Sequence, residues 1–469
     1  MRIETRSQRL ALFHSALTLS RVALGAFIVL ACLSPSWDKG PFSWLPLYRF
    51  TSFGQTFAVG IVLALPLVAW MAWGLAWLNT PVRAPWRWGR WPVAVPVFGF
   101  GALALARSWP VHSLQVAVLA AVGVALFWMI YLYTVQAGTA RWVTTLLAVV
   151  ILVQGCVAVA QFLTQRSLGL TWMGELLLAP EVRGVSVVEA AGRRWLRAYG
   201  LTPHPNVLGG YLGLGILVCL NALPGATARR RWLLAAGILA GGLGLFCTFS
   251  RSAWLGTLAG LAYWVWITRA WRRARAAWRA VAVRRVLVLL TVSVVVVVAA
   301  VTVAYDDLIL ARFSASSSEL ETSSVNERLR DIKLAWGLIR QVPLKGVGTG
   351  YYVPALWANA GDDRPPAFQH VHNIPLLAAA ELGIGGALLW LWLVGGPPLE
   401  GLWDARRRRQ RQPCCDAPVA GWAAAFVVMV VVSMLDYYLY IPATWWPAFY
   451  IGMLAGVWAG PSNERKEQA

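Results

Sequence analysis

Charged residues are scarce in this chain. Only 13% of the 469 residues are Asp, Glu, Lys or Arg, whereas 58% are hydrophobic. The mean hydropathy of +0.59 lies outside the range of ordinary soluble domains. This composition excludes an ordinary soluble enzyme and indicates that lipid surrounds most of the chain.

The sequence also has little acidic charge and little cysteine, with 20 Asp and Glu against 41 Lys and Arg, and six Cys. The cysteines follow neither a disulfide framework nor a zinc-binding spacing. Many of the arginines behind the net charge of +21 lie in short loops between apolar runs, so they indicate membrane topology and not nucleic-acid binding. The sparse carboxylates show no metal-ligand spacing, and we expect metal-independent chemistry without a cofactor.

Long apolar runs indicate about twelve transmembrane helices. A bilayer core needs roughly 20 apolar residues per helix, and backbone groups in lipid must bond to one another. The predicted fold is therefore all-α, a single polytopic membrane domain over residues 1–469. The candidate spans are 15–34, 55–78, 91–106, 113–134, 142–164, 206–223, 232–249, 252–268, 286–304, 373–396, 419–435 and 441–459.

The distribution of arginine predicts the orientation. Basic residues concentrate at the N-terminus and in alternate short loops, above all in 269–285 and 406–411. Such loops remain in the cytoplasm, so both termini are predicted to be cytoplasmic. The first apolar run lacks a clear cleavage site and is interpreted as a retained helix. Two long loops, 165–205 and 305–371, then open to the periplasm.

The larger periplasmic loop contains a predicted amphipathic helix over 324–341. Ser324 and Glu327 form a capping-box pattern, and Pro343 ends the run. The apolar residues at helical spacing are Val325, Leu329, Ile332, Trp336 and Ile339.

The predicted topology brings residues that are far apart in sequence to the periplasmic surface. They are Arg197, His204, Asn206, Arg251, Arg328, His372 and Asp436. Arginines that converge there would bind a multiply charged anion such as a lipid-linked pyrophosphate. His372 is well placed to accept a proton near neutral pH, and Asn373 is a candidate cap for the next helix.

Structural roles are open alternatives for these residues. Arg251 could anchor a tight turn or extend toward lipid headgroups, and His372 could satisfy a backbone group. For His112, His204 and His370 a structural role is the favoured interpretation. The GxGxG pattern at residues 346–350 follows no strand and lacks a P-loop lysine, so a nucleotide-binding fold is not predicted.

Three sequence blocks together resemble a known family. The block ERLRDIKLAWGLIRQVPLKGVGTGYY, followed by a polar loop and HNIPLLAAAELGIGGALL, resembles the signature of the O-antigen ligase and O-antigen polymerase superfamily. RAYGLTPHPNVLGGYL and TFSRSAWLG resemble its two upstream motifs. The resemblance covers roughly residues 195–395, and the motifs are specific as a set.

This resemblance implies transfer of a glycan from undecaprenyl pyrophosphate to an acceptor sugar hydroxyl at the periplasmic face, with inversion at the anomeric carbon. In ligases of this family the acceptor is the lipid A core. Carried onto this chain, Arg197 and Arg251 hold the pyrophosphate, Arg328 assists, and His372 activates the hydroxyl. The assigned substrate-binding residues are Arg328, His204, Asn206, Asn373, Gly348 and Tyr351.

Two other functions remain open. An O-antigen polymerase would extend lipid-linked repeat units with the same motifs. A transporter of small anions would instead need ionisable residues near the middle of its spans. Few ionisable residues fall within the spans, and the clearest, Glu381, lies about two turns into its helix, near the outer side. The expected partners are the lipid-linked glycan, a glycan acceptor such as lipid A core, and membrane lipid, with no nucleic acid.

Overall fold

The computed structural model is mostly helical, as the sequence predicts, and adds two short β-hairpins that were not predicted. It describes residues 2–31, 49–52, 55–80, 85–108, 114–137, 140–173, 175–190, 192–268, 285, 288–289, 319–360, 369–411, 420–440 and 447–459.

Helices account for most of the described residues. In chain order they are α1 (Arg2–Ala31), α2 (Val59–Leu78), α3 (Trp91–Arg107), α4 (Leu114–Ala137), α5 (Ala140–Thr164), α6 (Pro205–Ala222), α7 (Ala228–Cys247), α8 (Arg251–Thr268), α9 (Glu319–Gln341), α10 (Tyr352–Asn359), α11 (Ile374–Leu382), α12 (Ile384–Arg411), α13 (Ala420–Leu435) and α14 (Pro447–Ala459).

The two hairpins are antiparallel. Strands β1 (Arg49–Ser52) and β2 (Gln55–Ala58) form the first. Strands β3 (Val187–Ala190) and β4 (Arg193–Leu196) form the second, with Val187 opposite Leu196. The second hairpin lies within the predicted 165–205 loop, so this part of the loop is ordered.

Three of the described helices are long and apolar enough to cross a membrane, namely α5, α6 and α7. Four shorter apolar helical segments accompany them, at Ala64–Leu78, Trp91–Arg107, Ala120–Gln136 and Ala420–Leu435. The predicted span 286–304 lies outside the described residues except for 288–289. The total of twelve spans and their orientation stay predictions.

The predicted continuous span 373–396 is wrong, because the chain breaks into α11 and α12 at Gly383, where φ is 80°. Residues 343–348, which follow α9, lie against the end of α11 and the start of α12 at this break. Val347 N donates to the Ala380 carbonyl at 2.8 Å, Gly348 N donates to the Glu381 carbonyl at 2.9 Å, and Ile384 N donates to the Pro343 carbonyl at 2.8 Å. These bonds satisfy carbonyls that the end of a helix leaves without partners.

Replacing Gly383 by alanine is expected to destabilise the protein by more than about 1 kcal/mol, because a side chain at positive φ is strained. The added Cβ would also collide with the Leu344 carbonyl. Thermal unfolding in detergent measures the effect. Gly242→Ala is the matched control, since a Cβ there meets nothing within 4 Å and alanine favours a helix. Equal unfolding temperatures in the two variants would contradict the strain argument.

Glycines let α6 pack closely against α8 and α13. A Cβ on Gly209 would approach Ala253, and one on Gly213 would collide with the Thr257 hydroxyl. This close approach sets the N-terminus of α6 beside the turn that precedes α8. Residues near 205 and 250 therefore lie at the same end of the bundle.

Helix α9 begins at Glu319, five residues before the predicted start, so Ser324 lies inside the helix and the capping-box interpretation is wrong. Of the apolar residues at helical spacing, Leu329, Ile332 and Trp336 are exposed, whereas Ile339 is buried. The face that packs toward α11 instead contains Asp331, Ala335, Leu338 and Ile339, all buried. The small Ala335 permits close packing, and the carboxylate of Asp331 lies 3.9 Å from His372 Nδ1.

Candidate functional site

Arg197 follows β4 directly and its side chain is buried. Its Nε donates to the Thr248 carbonyl at 2.7 Å, and its Nη2 donates to Asn206 Oδ1 at 2.6 Å. The backbone beside it is held too, since Ala198 N donates to the Cys247 carbonyl at 2.9 Å. Arg197 thus connects the second hairpin to the α7–α8 turn and to the start of α6.

Asn206 extends this connection to a fourth segment. Its Nδ2 donates to Asp436 Oδ2 at 2.7 Å, and Asp436 Oδ1 accepts from Tyr437 N at 2.9 Å. Burial raises the pKa of Asp436, whereas the charge of His372 and these hydrogen bonds lower it. The result is a partly buried series of charge-assisted bonds from Arg197 through Asn206 to Asp436, of the kind that fixes geometry strongly.

His372 lies between carboxylates from two different elements. Its Nδ1 is 3.9 Å from Asp331 Oδ2 on α9, and Asp436 also acts on its charge. The imidazole meets the Tyr437 ring edge-on, with 5.3 Å between centroids. Burial lowers the pKa of His372 and outweighs the carboxylates of Asp436, Asp331 and Glu327, while Arg328 lowers it further. At neutral pH the imidazole is therefore uncharged and able to accept a proton.

The contacts of His204 favour its structural alternative. Its Nδ1 accepts from Asn206 N at 3.1 Å at the N-cap of α6, and its Nε2 lies 3.0 Å from Ser186 Oγ. Burial, followed by the charges of Arg197 and His372, lowers its pKa to about 3. His204 is therefore a neutral cap that orients the start of α6.

Asn373 caps α11, as predicted. Its Oδ1 accepts from Leu376 N at 2.9 Å, and its Nδ2 donates to the Met434 carbonyl at 3.0 Å near the end of α13. These two bonds connect α11 to α13. They fix the backbone that follows His372 and the backbone that precedes Asp436.

His370 belongs to a column of rings beside the site. It stacks on Tyr352 and on Tyr437, with centroids 5.9 Å and 5.2 Å apart. Burial and then the charge of His372 lower its pKa to about 4. These contacts agree with the structural role favoured for His370.

Arg251 and Arg328 lie at the same end of the bundle. Arg251 is the first residue of α8, three residues beyond the Thr248 carbonyl that Arg197 contacts, and it is half-buried. Arg328 is half-buried on α9, and its charge acts on both His372 and Asp436. The structure therefore gathers three arginine-bearing segments near one imidazole.

The glycine-rich segment with Gly348 and Tyr351 wraps around the carboxylate of Glu381. Gly350 N donates to Glu381 Oε2 at 2.9 Å, and Tyr352 N donates to Oε1 at 3.3 Å. The Tyr440 hydroxyl donates to Oε2 at 3.1 Å. These contacts show an anchoring role for the segment, and its part in substrate binding stays a prediction.

Asp331 was not among the residues predicted from sequence, and Asp436 was assigned no role. Asp331 is spaced four and seven residues from Ala335 and Leu338 on the buried face of α9. A carboxylate at helical spacing from Ala335 and Leu338 was the feature of the sequence that could have identified Asp331. The apolar residues on the opposite face of α9 form a more conspicuous pattern in the sequence. Within the described ranges, no three His, Cys, Asp or Glu side chains are grouped to hold a metal ion.

One family comparison covers part of this site. Residues 234–391 match the family model described as O-Antigen ligase. The matched segment contains Arg251, Arg328, Asp331 and His372, whereas Arg197, Asn206 and Asp436 lie outside it. No curated protein gives a significant match to the chain. The matched segment contains the blocks TFSRSAWLG, ERLRDIKLAWGLIRQVPLKGVGTGYY and HNIPLLAAAELGIGGALL, whereas RAYGLTPHPNVLGGYL lies outside it. The match supports membership of the O-antigen ligase superfamily.

Proposed function

We propose that this protein is an O-antigen ligase-type glycosyltransferase. It moves a glycan from undecaprenyl pyrophosphate to an acceptor sugar hydroxyl, with lipid A core as the acceptor. The observation that carries the proposal is the convergence on His372 of buried, charged segments that are far apart in sequence. Asp331 comes from α9, and the Arg197–Asn206–Asp436 series comes from three further elements.

The proposed reaction is a single displacement. The acceptor hydroxyl oxygen attacks the anomeric carbon, the bond from that carbon to the pyrophosphate oxygen breaks, and the configuration inverts. The hydroxyl proton passes to His372 Nε2. Undecaprenyl pyrophosphate leaves with the electron pair of the broken bond on its terminal phosphate oxygen, so the protein contributes positioning and charge stabilisation.

The arginines suit the leaving group. A guanidinium keeps its charge in a buried setting and donates paired hydrogen bonds to phosphate oxygens. Arg197 supplies buried positive charge, Arg251 is half-buried three residues beyond Thr248, and the charge of half-buried Arg328 acts on His372. Arg197 and Arg251 bind the pyrophosphate in this proposal, and Arg328 assists.

The distribution of basic residues in the sequence supports a site on the periplasmic side, with both termini in the cytoplasm. His372 and Arg197 adjoin or lie in the two long loops that this orientation exposes. A lipid-linked donor can then approach from the bilayer while the glycan and acceptor approach from the aqueous side.

A transfer assay tests the proposal and its rivals. Purified protein is incubated with lipid-linked glycan, with and without lipid A core, and the products are separated by size. Glycan on lipid A core supports the ligase, and growth of the donor chain alone indicates a polymerase. Anion flux through vesicles without any transfer would indicate the transporter and overturn the proposal.

Transfer is expected to slow as the pH falls, because protonated His372 cannot accept a proton. Burial lowers the pKa of His372 below its ordinary value of 6.5, so the rate should stay level at and above neutral pH and decline only below 6.5. The measurement is initial rate against pH at saturating donor. In the folded protein, His370 and His204 become protonated only near pH 4 and pH 3. A decline centred above 6.5 would contradict the assignment.

A further inference from the structure

We propose that Asp331 is the residue that positions the His372 imidazole, an inference that rests on the proposed function. Asp331 accepts a hydrogen bond from Nδ1–H, so that Nε2 carries no proton and faces the acceptor hydroxyl. In the reaction, Nε2 receives the hydroxyl proton and Nδ1 keeps its own. Asp331 therefore acts through His372 and does not touch the substrate.

The first support is the state of His372 Nδ1. This atom is buried and has no hydrogen-bond partner among the described residues. A buried polar nitrogen without a partner is costly, since the protein removes its water without replacing it. Asp331 Oδ2 lies 3.9 Å away, about 1 Å beyond the usual length of a charge-assisted hydrogen bond. Catalytic hydrogen bonds are often long before substrate binds and shorten in the complex.

The second support is that Asp331 has a carboxylate oxygen available for this bond, whereas both carboxylate oxygens of Asp436 already accept hydrogen bonds. Both oxygens of Asp436 accept hydrogen bonds, from Asn206 Nδ2 and from Tyr437 N. Asp331 Oδ1 lies 3.7 Å from Arg330 Nη2, which leaves Oδ2 as the oxygen that faces His372. Asp436 has the larger effect on the pKa of His372, but both of its carboxylate oxygens already accept other hydrogen bonds. Asp436 therefore suits the role of a fixed negative charge, and Asp331 suits the role of the partner that orients the imidazole.

The third support is that both partners are held in place. Asp331 is only 4% exposed, and the Tyr352 hydroxyl donates to its carbonyl at 3.4 Å. Tyr437 packs edge-on against the His372 ring on another side. The imidazole therefore has restricted freedom to rotate, and a small movement of α9 or of the carboxylate completes the bond.

The test compares Asp331→Asn with Glu327→Gln. Glu327 is exposed on the same helix and also raises the pKa of His372, so its replacement removes the same charge without removing the Nδ1 partner. We expect Asp331→Asn to lower kcat for transfer at pH 8 at least about tenfold, a part of the 10²–10⁴ that a general base contributes. Glu327→Gln is expected to keep the wild-type rate at pH 8.

The pH profile separates positioning from general damage. Asp331 raises the pKa of His372, so its loss should move the acidic decline of the rate to lower pH, and Glu327→Gln should move it less. The other groups that act with His372 are Asp436, Arg328, His204 and His370, and neither variant changes them. Partial unfolding would lower the rate without moving the decline.

The outcomes distinguish this inference from the proposed function. An active wild type, an inactive His372→Ala, and folded Asp331→Asn and Asp331→Ala variants at the wild-type rate would overturn the positioning role alone. Asp331→Ala is needed because the asparagine amide oxygen can still accept from Nδ1–H, whereas alanine offers no acceptor. A wild type without transfer activity overturns both. If Asp331→Asn does not fold, Asp331→Glu is used instead. It keeps the charge but displaces the acceptor oxygen by one methylene, so we expect a lower kcat with both the pH decline and the unfolding temperature unmoved, which excludes partial unfolding. A wild-type kcat would overturn the inference.

Discussion

Replacing His372 by alanine is expected to reduce glycan transfer by about 10²- to 10⁴-fold, the range that a positioned general base contributes. The imidazole is the half-buried, uncharged base at the point where the segments of the site converge, and alanine leaves no group to take the proton of the hydroxyl. The measurement is kcat with saturating lipid-linked donor and acceptor. Binding of donor, measured separately, should change little, because the arginines remain.

His14→Ala is the matched control for this variant. His14 is exposed on α1, remote in sequence from the site, and its replacement should leave the rate unchanged. A comparable unfolding temperature for His372→Ala would show that lost activity does not reflect lost structure. Full transfer by folded His372→Ala would remove His372 from the mechanism.

Several features of the fold could be predicted because they depend on local composition. Long apolar runs predicted α5, α6 and α7, and the Asn373 cap followed from a polar side chain before an apolar run. The break at Gly383 could not be found this way. It depends on residues 343–348, which cross α11 and use its terminal carbonyls, and hydropathy contains no information about such a crossing.

The orientation of α9 shows the same limit from the opposite direction. Leu329, Ile332 and Trp336 recur at helical spacing in the sequence, but the spacing does not say which face of a helix meets protein, and these three side chains are exposed. Arg340 covers part of the exposed stripe, with its guanidinium carbon 5.5 Å from the centroid of a Trp336 ring. Asp331 is instead buried because it lies on the face of α9 that packs toward α11.

The proximity of Arg197, Asn206 and Asp436 could be predicted, but the bonds between them could not. The predicted topology placed these residues on one surface, and the structure shows that they form a hydrogen-bonded series. Pairing across 230 residues of sequence cannot be derived from a single chain, since many other partners have the right chemistry. The end of the bundle at which these residues lie was therefore easier to predict than their contacts, and their roles in a reaction stay predictions.

Arg197→Lys is expected to lower kcat/KM for the lipid-linked donor by about 10²-fold, comparable to removing one donor from a charge-stabilising site. Lysine keeps the charge, but a single ammonium cannot reproduce the planar fork that reaches both the Thr248 carbonyl and Asn206 Oδ1. Each buried acceptor left without a partner costs about 1–3 kcal/mol. Asn206 would then hold Asp436 less firmly, so the geometry around His372 would loosen with it.

Arg194→Lys on β4 is the matched control, because Arg194 is exposed and lies 3.8 Å from Glu189 in a weak surface pair. It should keep both its transfer rate and its unfolding temperature. For Arg197→Lys, an increased KM for donor together with a lower kcat would place the guanidinium in both donor binding and site geometry. A lower unfolding temperature with unchanged KM and kcat would instead restrict Arg197 to holding the hairpin against α6, and the pyrophosphate would then depend on Arg251 and Arg328.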